Sequence, residues 1–154
     1  MTDAQPPADL APFAGRFVER THWFALRVYY EDTDFSGIVY HANYLRFCER
    51  ARTDMLRAIG IDQRAVHEAG IGTYAIAAMD ITYHLPAVFD DALIIASQAT
   101  KVRAAGCHIQ QRVMRNDDLI FTAQVKAAFL NPKGRPTRQP KQWVEAFHSV
   151  LTTD

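Results

Sequence analysis

The sequence is poor in cysteine, with Cys48 and Cys107 its only two. They lack C-x-x-C spacing and each falls in a patterned segment. That excludes a disulfide framework and reads as reduced core thiols in a cytoplasmic protein. A charge excess is missing as well, since 17 basic residues balance 17 acidic ones. Without a global basic field the chain is not built to follow nucleic acid, and any anionic ligand must be met by local charge. No apolar run approaches the roughly 18 residues that span a bilayer, which argues against membrane insertion. The first residues, with Pro6, Pro7 and Pro12 among Asp3 and Asp9, hold neither the basic nor the apolar region of a secretory signal. Residues 1–20 read as a flexible arm ahead of a single domain over 21–150.

Several chemical signatures are absent. The chain has no G-x-S-x-G, no G-x-x-x-x-G-K and no G-x-G-x-x-G, which argues against an α/β-hydrolase, a P-loop enzyme and a dinucleotide-binding domain. The six histidines, at 22, 41, 67, 84, 108 and 148, make no i,i+4 pair and no Cys/His ligand cluster, which argues against a zinc site. Asp32-x-Asp34-x-Ser36-Gly37 imitates the first half of a calcium loop. However, the position of the bidentate Glu is Asn43, and the preceding segment has strand rather than helix periodicity. No metal and no cofactor is expected.

What is present is a chain with 49% hydrophobic residues, enough for a real core. Over 22–30, Phe24, Leu26, Val28 and Tyr30 alternate with Ala25, Arg27 and Tyr29, the period of a strand. From Asn43, read as an N-cap, Leu45, Cys48, Ala51, Met55, Leu56 and Ile59 recur at helical spacing until Gly60, giving a helix over 43–59. A polar stretch at 62–68 extends or follows it. Strand-like runs occupy 73–83, 92–103, 107–115 and 119–130, the last three joined by Ala104-Ala105-Gly106 and Asn116-Asp117-Asp118 hairpins. Asn131-Pro132-Lys133-Gly134 ends the final strand, and Pro140 precedes a short helix through Trp143, Val144 and Phe147. The pattern predicts an α+β layer pair, one long helix on an antiparallel sheet of about five strands. Exposed sheet edges favour pairing with a second copy, hence a homodimer.

The chemistry concentrates in residues 30–44. Composition alone makes this a surface turn, because Asp, Thr, Ser and Gly are loop residues. Against that stands the crowding of Glu31, Asp32 and Asp34 just ahead of a helix start. Their mutual repulsion needs compensation. The partial positive charge and unpaired N–H groups there can stabilise an oxyanion while a nearby carboxylate attacks or activates water. Asp32 and Asp34 are both candidates for that carboxylate. His41, two residues before the expected cap, is either a hydrogen-bonded structural residue or a catalyst.

Tyr30-Glu31-Asp32-Thr33-Asp34 followed by Gly37-Ile38-Val39-Tyr40-His41-Ala42-Asn43-Tyr44-Leu45-Arg46-Phe47 resembles the signature of the 4-hydroxybenzoyl-CoA thioesterase family. It is especially similar to the acyl-CoA thioesterase branch associated with the bacterial Tol–Pal envelope system. The resemblance covers roughly 22–140. It implies a hotdog fold, a long helix wrapped by an antiparallel sheet, paired as a dimer and often assembled into tetramers. It implies Asp34 as the catalytic carboxylate, His41 beside it and a backbone N–H near His41 as the oxyanion donor. The histidine stands where the aromatic-CoA enzyme has tyrosine, which favours an aliphatic acyl group. Tyr30, Gly37, Val39 and Tyr40 of the motif are the expected substrate contacts. Lys101 and Arg103, near a strand end, and Lys133, Arg135 and Arg138 in the tail are candidates for the phosphates of CoA. Glu49 on the helix is a fallback carboxylate.

The function expected is hydrolysis of a short-chain or aromatic acyl-CoA, or of an acyl-carrier-protein thioester, to free acid and thiol. The alternative is a non-catalytic acyl-ligand or envelope-complex binding module. A dehydratase is a third reading, without the His/acid arrangement such an enzyme needs.

Overall fold

A computed structural model describes residues 4–152 of the chain. A six-stranded antiparallel sheet in the order β1-β2-β4-β5-β6-β3 curls around one long helix. The strands are β1 (Arg16–Val18), β2 (Thr21–Arg27), β3 (Thr73–Tyr83), β4 (Ala92–Arg103), β5 (Gly106–Arg115) and β6 (Asp118–Leu130). The helices are α1 (Asn43–Ala58), α2 (Gln63–Glu68) and α3 (Lys141–Val150). This is the hotdog arrangement, with one strand more than the five expected. The additional strand, β1, falls in the stretch expected as an arm. Its three residues are too few for period-2 alternation to mark them, and pairing with β2 creates the strand.

Helix α1 runs one residue short of its expected end and stops at Gly60, whose φ of +83° is the left-handed geometry that glycine supplies. Its start differs in kind. Ala42 is the N-cap, no side chain caps it, and Asn43 is the first helical residue, its amide turned back to the Asp32 carboxylate. The helix buries Tyr44, Phe47, Cys48, Ala51, Met55 and Leu56 against the inward residues of the sheet. Phe47 alone, fully buried, contributes about 2–3 kcal/mol by area.

The core divides into two clusters. One gathers Tyr44, Phe47 and Cys48 with Leu93, Ile95, Val113 and Phe121; the other gathers Met55 and Leu56 with Ile109, Phe129, Trp143 and Phe147. The C-terminal α3 closes this second cluster through Trp143 and Phe147. Cys48 and Cys107 are free and buried, and burial pushes both thiols up to about 12, the inert state expected of core cysteines.

Candidate active site

Strand β2 ends at Arg27 rather than at residue 30, because Asp32 reorganises the segment that follows. Its carboxylate accepts the Tyr29 N–H at 2.7 Å and the Asn43 amide at 2.7 Å, folding Tyr30–Asp32 into a 3₁₀ turn. Asp32 is 4% exposed and occupied on both oxygens. Of the two candidate carboxylates it is therefore the structural one, and it sets the loop against the start of α1.

Asp34 is exposed. Its Oδ1 accepts the Ser36 hydroxyl at 2.5 Å and the Ser36 N–H at 2.8 Å; neither bond engages Oδ2. These two donors, with His41 adding a weaker attraction, hold the Asp34 carboxyl below the usual carboxylate range, so it is ionised at neutral pH. The loop closes through the Asp34 N–H donating to Ile38 O and the Gly37 N–H donating to Asp34 O, both at 3.0 Å. Gly37 sits at φ +82°, where a side chain would be strained.

A cleft of about 400 Å³ joins Asp34, Ile38, Val39, His41 and Tyr44 to Tyr83, His84, Leu85 and Pro86. Antiparallel pairing with β6 carries β3 back to the start of α1 and so delivers the second group. The Tyr83 hydroxyl then donates to the His41 carbonyl at 2.8 Å, and the Val39 N–H donates to Ala87 O at 2.8 Å. Tyr44 stacks on Phe121 at 5.0 Å and its hydroxyl accepts the Ala87 N–H. The His41 ring packs on Tyr40 at 4.4 Å. Asp34, His41 and the start of α1 therefore meet at one solvent-facing cleft; no side chain caps the helix, although the Asn43 N–H donates to Tyr40 O at 2.8 Å and the Leu45 N–H to Ala42 O at 3.2 Å, and the positive end of the helix lies beside an exposed carboxylate.

Of the expected contacts, Val39 lines the cleft and Gly37 shapes its loop, whereas Tyr30 and Tyr40 lie outside the lining, 84% and 44% exposed. Lys101 and Arg103 are not brought to it. Strand β4 starts near the site loop, where the Val28 N–H bonds Asp91 O, and runs away from it. Nine residues of strand from Ala92 to Lys101 amount to about 30 Å. There Lys101, His108 and Lys126 stand in register across three strands. Tyr83, His84, Leu85 and Pro86 escape sequence reasoning because only the pairing of β3 with β6 places them.

The family model of the thioesterase-like superfamily matches residues 28–148. The acyl-CoA thioesterase YbgC of Haemophilus influenzae is 40% identical over 82% of this chain and 94% of its own length. The 1,4-dihydroxy-2-naphthoyl-CoA hydrolase of Crocosphaera subtropica is 29% identical over 70% of this chain and 81% of its own. A crystal structure of a probable thioesterase from Bartonella henselae superposes with a TM-score of 0.73 at 35% identity, covering 78% of this chain and 99% of that one.

Proposed function

The chain belongs to the thioesterase-like superfamily, and from that footing we propose that it hydrolyses acyl-CoA thioesters at the Asp34 cleft. The observation that carries this reading is the ionised, exposed Asp34 at the same cleft as a helix start that no side chain caps. The thioester carbonyl oxygen accepts N–H groups at the start of α1 as it gains charge. Asp34 either attacks the carbonyl carbon, giving a mixed anhydride that water then opens, or removes a proton from the attacking water. In both routes the C–S bond breaks, and the thiolate leaves and takes up a proton as CoA thiol. Loss of one oxyanion donor costs about 100- to 1,000-fold in such reactions. His41, on the same cleft, orients substrate or Asp34.

The acyl group proposed is short-chain or aromatic, on CoA or on a carrier protein. The 400 Å³ cleft and its Tyr44 and Tyr83 rings suit a group of that size. His41 within the motif supports the branch associated with the Tol–Pal envelope system. A homodimer, or a tetramer built from it, is supported by β3, an eleven-residue edge strand whose one strand neighbour among the described residues is β6. No described helix is long and apolar enough to cross a membrane, and free buried thiols suit a cytoplasmic location.

The test is thiol release from a panel of short-chain, long-chain and aromatic acyl-CoAs by the native protein and by Asp34→Asn. Release that collapses in the variant supports the reading and names the preferred acyl group. Equal rates remove Asp34 from the mechanism, and no release from any CoA ester shifts the function to a carrier-protein substrate or a binding role.

A further inference from the structure

The chain is neutral as a whole, but its charge is unevenly placed. Strands β4, β5 and β6 carry no carboxylate except Asp118 at the start of β6, while Lys101, Arg103, Arg112, Arg115 and Lys126 lie on them. Arg115 is paired with Asp91 and Asp118. Among the described residues, Lys101, Arg103 and Lys126 have no carboxylate within ion-pair distance.

These three converge on one ring. Ala99, Ile109 and Val125 pair with one another and are buried, so the next row, Lys101, His108 and Lys126, faces outward from the sheet. Two bulges build that row. An extra residue at Thr100 sets Lys101 opposite His108, and one at Ala77 sets the small Ala78 beside Lys126. Lys101 and Lys126 therefore flank His108 from its two neighbouring strands, each about 5 Å away at Cβ, and Arg103 follows on the same face of β4. The His108 Nε2 is buried and has no hydrogen-bond partner. Burial first, and then the charges of Lys101, Arg103 and Lys126, hold the ring below its ordinary range. In its Nε2–H tautomer the neutral ring is a donor without an acceptor, set among cations without a counter-ion.

Beside the ring a hollow of about 210 Å³ opens between Ala78, Asp80, His108, Gln124 and Lys126. It is smaller than the roughly 300–1,000 Å³ of a site for a drug-sized ligand and suits a single anionic group. Asp80, the one carboxylate of the lining, lies in the next row opposite Gln124 and forms no ion pair with Lys126. Hydrogen bonding along the free edge of β3 runs in the plane of the sheet, so a second copy paired there leaves this outer face open.

We propose that the Lys101, His108 and Lys126 row is a phosphate-binding site, taking the phosphomonoester group of a ligand on the outer face of the sheet. It lies toward the end of β4 away from the Asp34 cleft and takes no part in thioester cleavage. A phosphomonoester carries close to two negative charges at neutral pH and three strong acceptor oxygens. The two ammonium groups and the Arg103 guanidinium supply charge-assisted bonds, and the His108 Nε2–H gives one oxygen a fixed neutral donor. A carboxylate, with one charge and two oxygens, leaves part of this set unmatched.

The experiment titrates the full chain with inorganic phosphate and with glycerol 3-phosphate at constant ionic strength, following the His108 ring by proton–nitrogen NMR. Saturable shifts centred on His108 are expected. Lys101→Gln and Lys126→Gln should each weaken binding by about 10- to 100-fold, the range of one hydrogen bond to a charged group. Both changes are at exposed side chains, and unchanged melting in phosphate-free buffer shows that the variants fold. Lys141→Gln, on exposed α3 surface, should bind as the native protein does. Vesicles of phosphatidylcholine with and without phosphatidic acid separate the sources of the group. Cosedimentation that needs phosphatidic acid and is lost in the two variants names a lipid headgroup, and glycerol 3-phosphate binding without cosedimentation names a soluble ligand. No saturation with any probe, shifts centred on the Asp34 cleft instead, or equal binding in the two variants overturns the proposal.

Discussion

The Asn43 amide donates to the Asp32 carboxylate at 2.7 Å across eleven residues of chain, tying the acidic loop to the first turn of α1. That bond separates two aspartates that look alike in sequence. Asp32 is a buried acceptor for two donors, and Asp34 is the exposed carboxylate of the cleft. Replacing Asp32 by alanine orphans the Tyr29 N–H and the Asn43 amide, and is expected to cost about 2–4 kcal/mol in urea unfolding. Asp34→Asn should stay within about 0.5 kcal/mol of the native protein, while its thiol release falls about 100- to 10,000-fold. Similar stability losses in both variants would contradict this division of labour.

Ser36 sets the titration of Asp34. Its hydroxyl and N–H both favour the ionised carboxylate, so the midpoint lies below the ordinary 3.8. Ser36→Ala removes the larger of the two effects and leaves the backbone donor. Carbon-13 NMR of the Asp34 carboxyl should show the midpoint rising toward 3.8 without reaching it. A midpoint that does not move would mean that the hydroxyl bond is not populated in solution.

Much of this was legible in the sequence because it is local. The runs at 73–83 and 92–103 match β3 and β4, since Gly72, Pro86 and Ala104-Ala105-Gly106 bound apolar, β-branched runs of strand length. The long helix and its glycine stop followed from spacing in the same way. Asn43 has the residue type of a cap, but its amide serves a carboxylate outside the helix, a partner that no local rule supplies, and Ala42 is the N-cap. The site was half visible. Asp34 and His41 share one short motif, whereas Tyr83 and Pro86 reach them through sheet pairing. Lys101 and Arg103 lie toward the end of β4 away from the cleft, a position that only the folded sheet reveals. The buried Arg52–Gln111 pair, 59 residues apart, had no signal in periodicity.

His22 makes stability depend on pH. It is fully buried, its Nε2 lies 2.8 Å from Asp54 Oδ2, and Asp54 also accepts the Gly15 N–H. Burial outweighs the attraction of Asp54 and holds the ring below its ordinary 6.5. The unfolded chain then binds the proton more readily than the folded one. This contribution is fully present above about pH 6.5 and is lost as pH falls through that value toward the folded midpoint. His22→Gln should unfold more easily at pH 7.5, yet show a flatter loss of stability between pH 6.5 and 5 in urea titrations. A slope as steep as that of the native protein would assign the acid sensitivity to other groups.

The edge of β3 allows the proposed dimer to be located as well as detected. Successive N–H groups of a strand point to opposite sides, and β6 satisfies only one side of Thr73–Tyr83. In a monomer every second amide of β3 should therefore exchange with deuterium quickly. In a dimer formed edge to edge, the outward set gains partners and slows by about a hundredfold or more, as an opening that must break the interface requires. Sedimentation at high and low concentration fixes the species present, and hydrogen exchange at the same concentrations reads the edge. Slow exchange of the outward set that disappears on dilution places the second copy along β3. Fast exchange where sedimentation reports a dimer would put the contact on another surface, the exposed Phe35 and Phe89 beside the cleft being the next place to look.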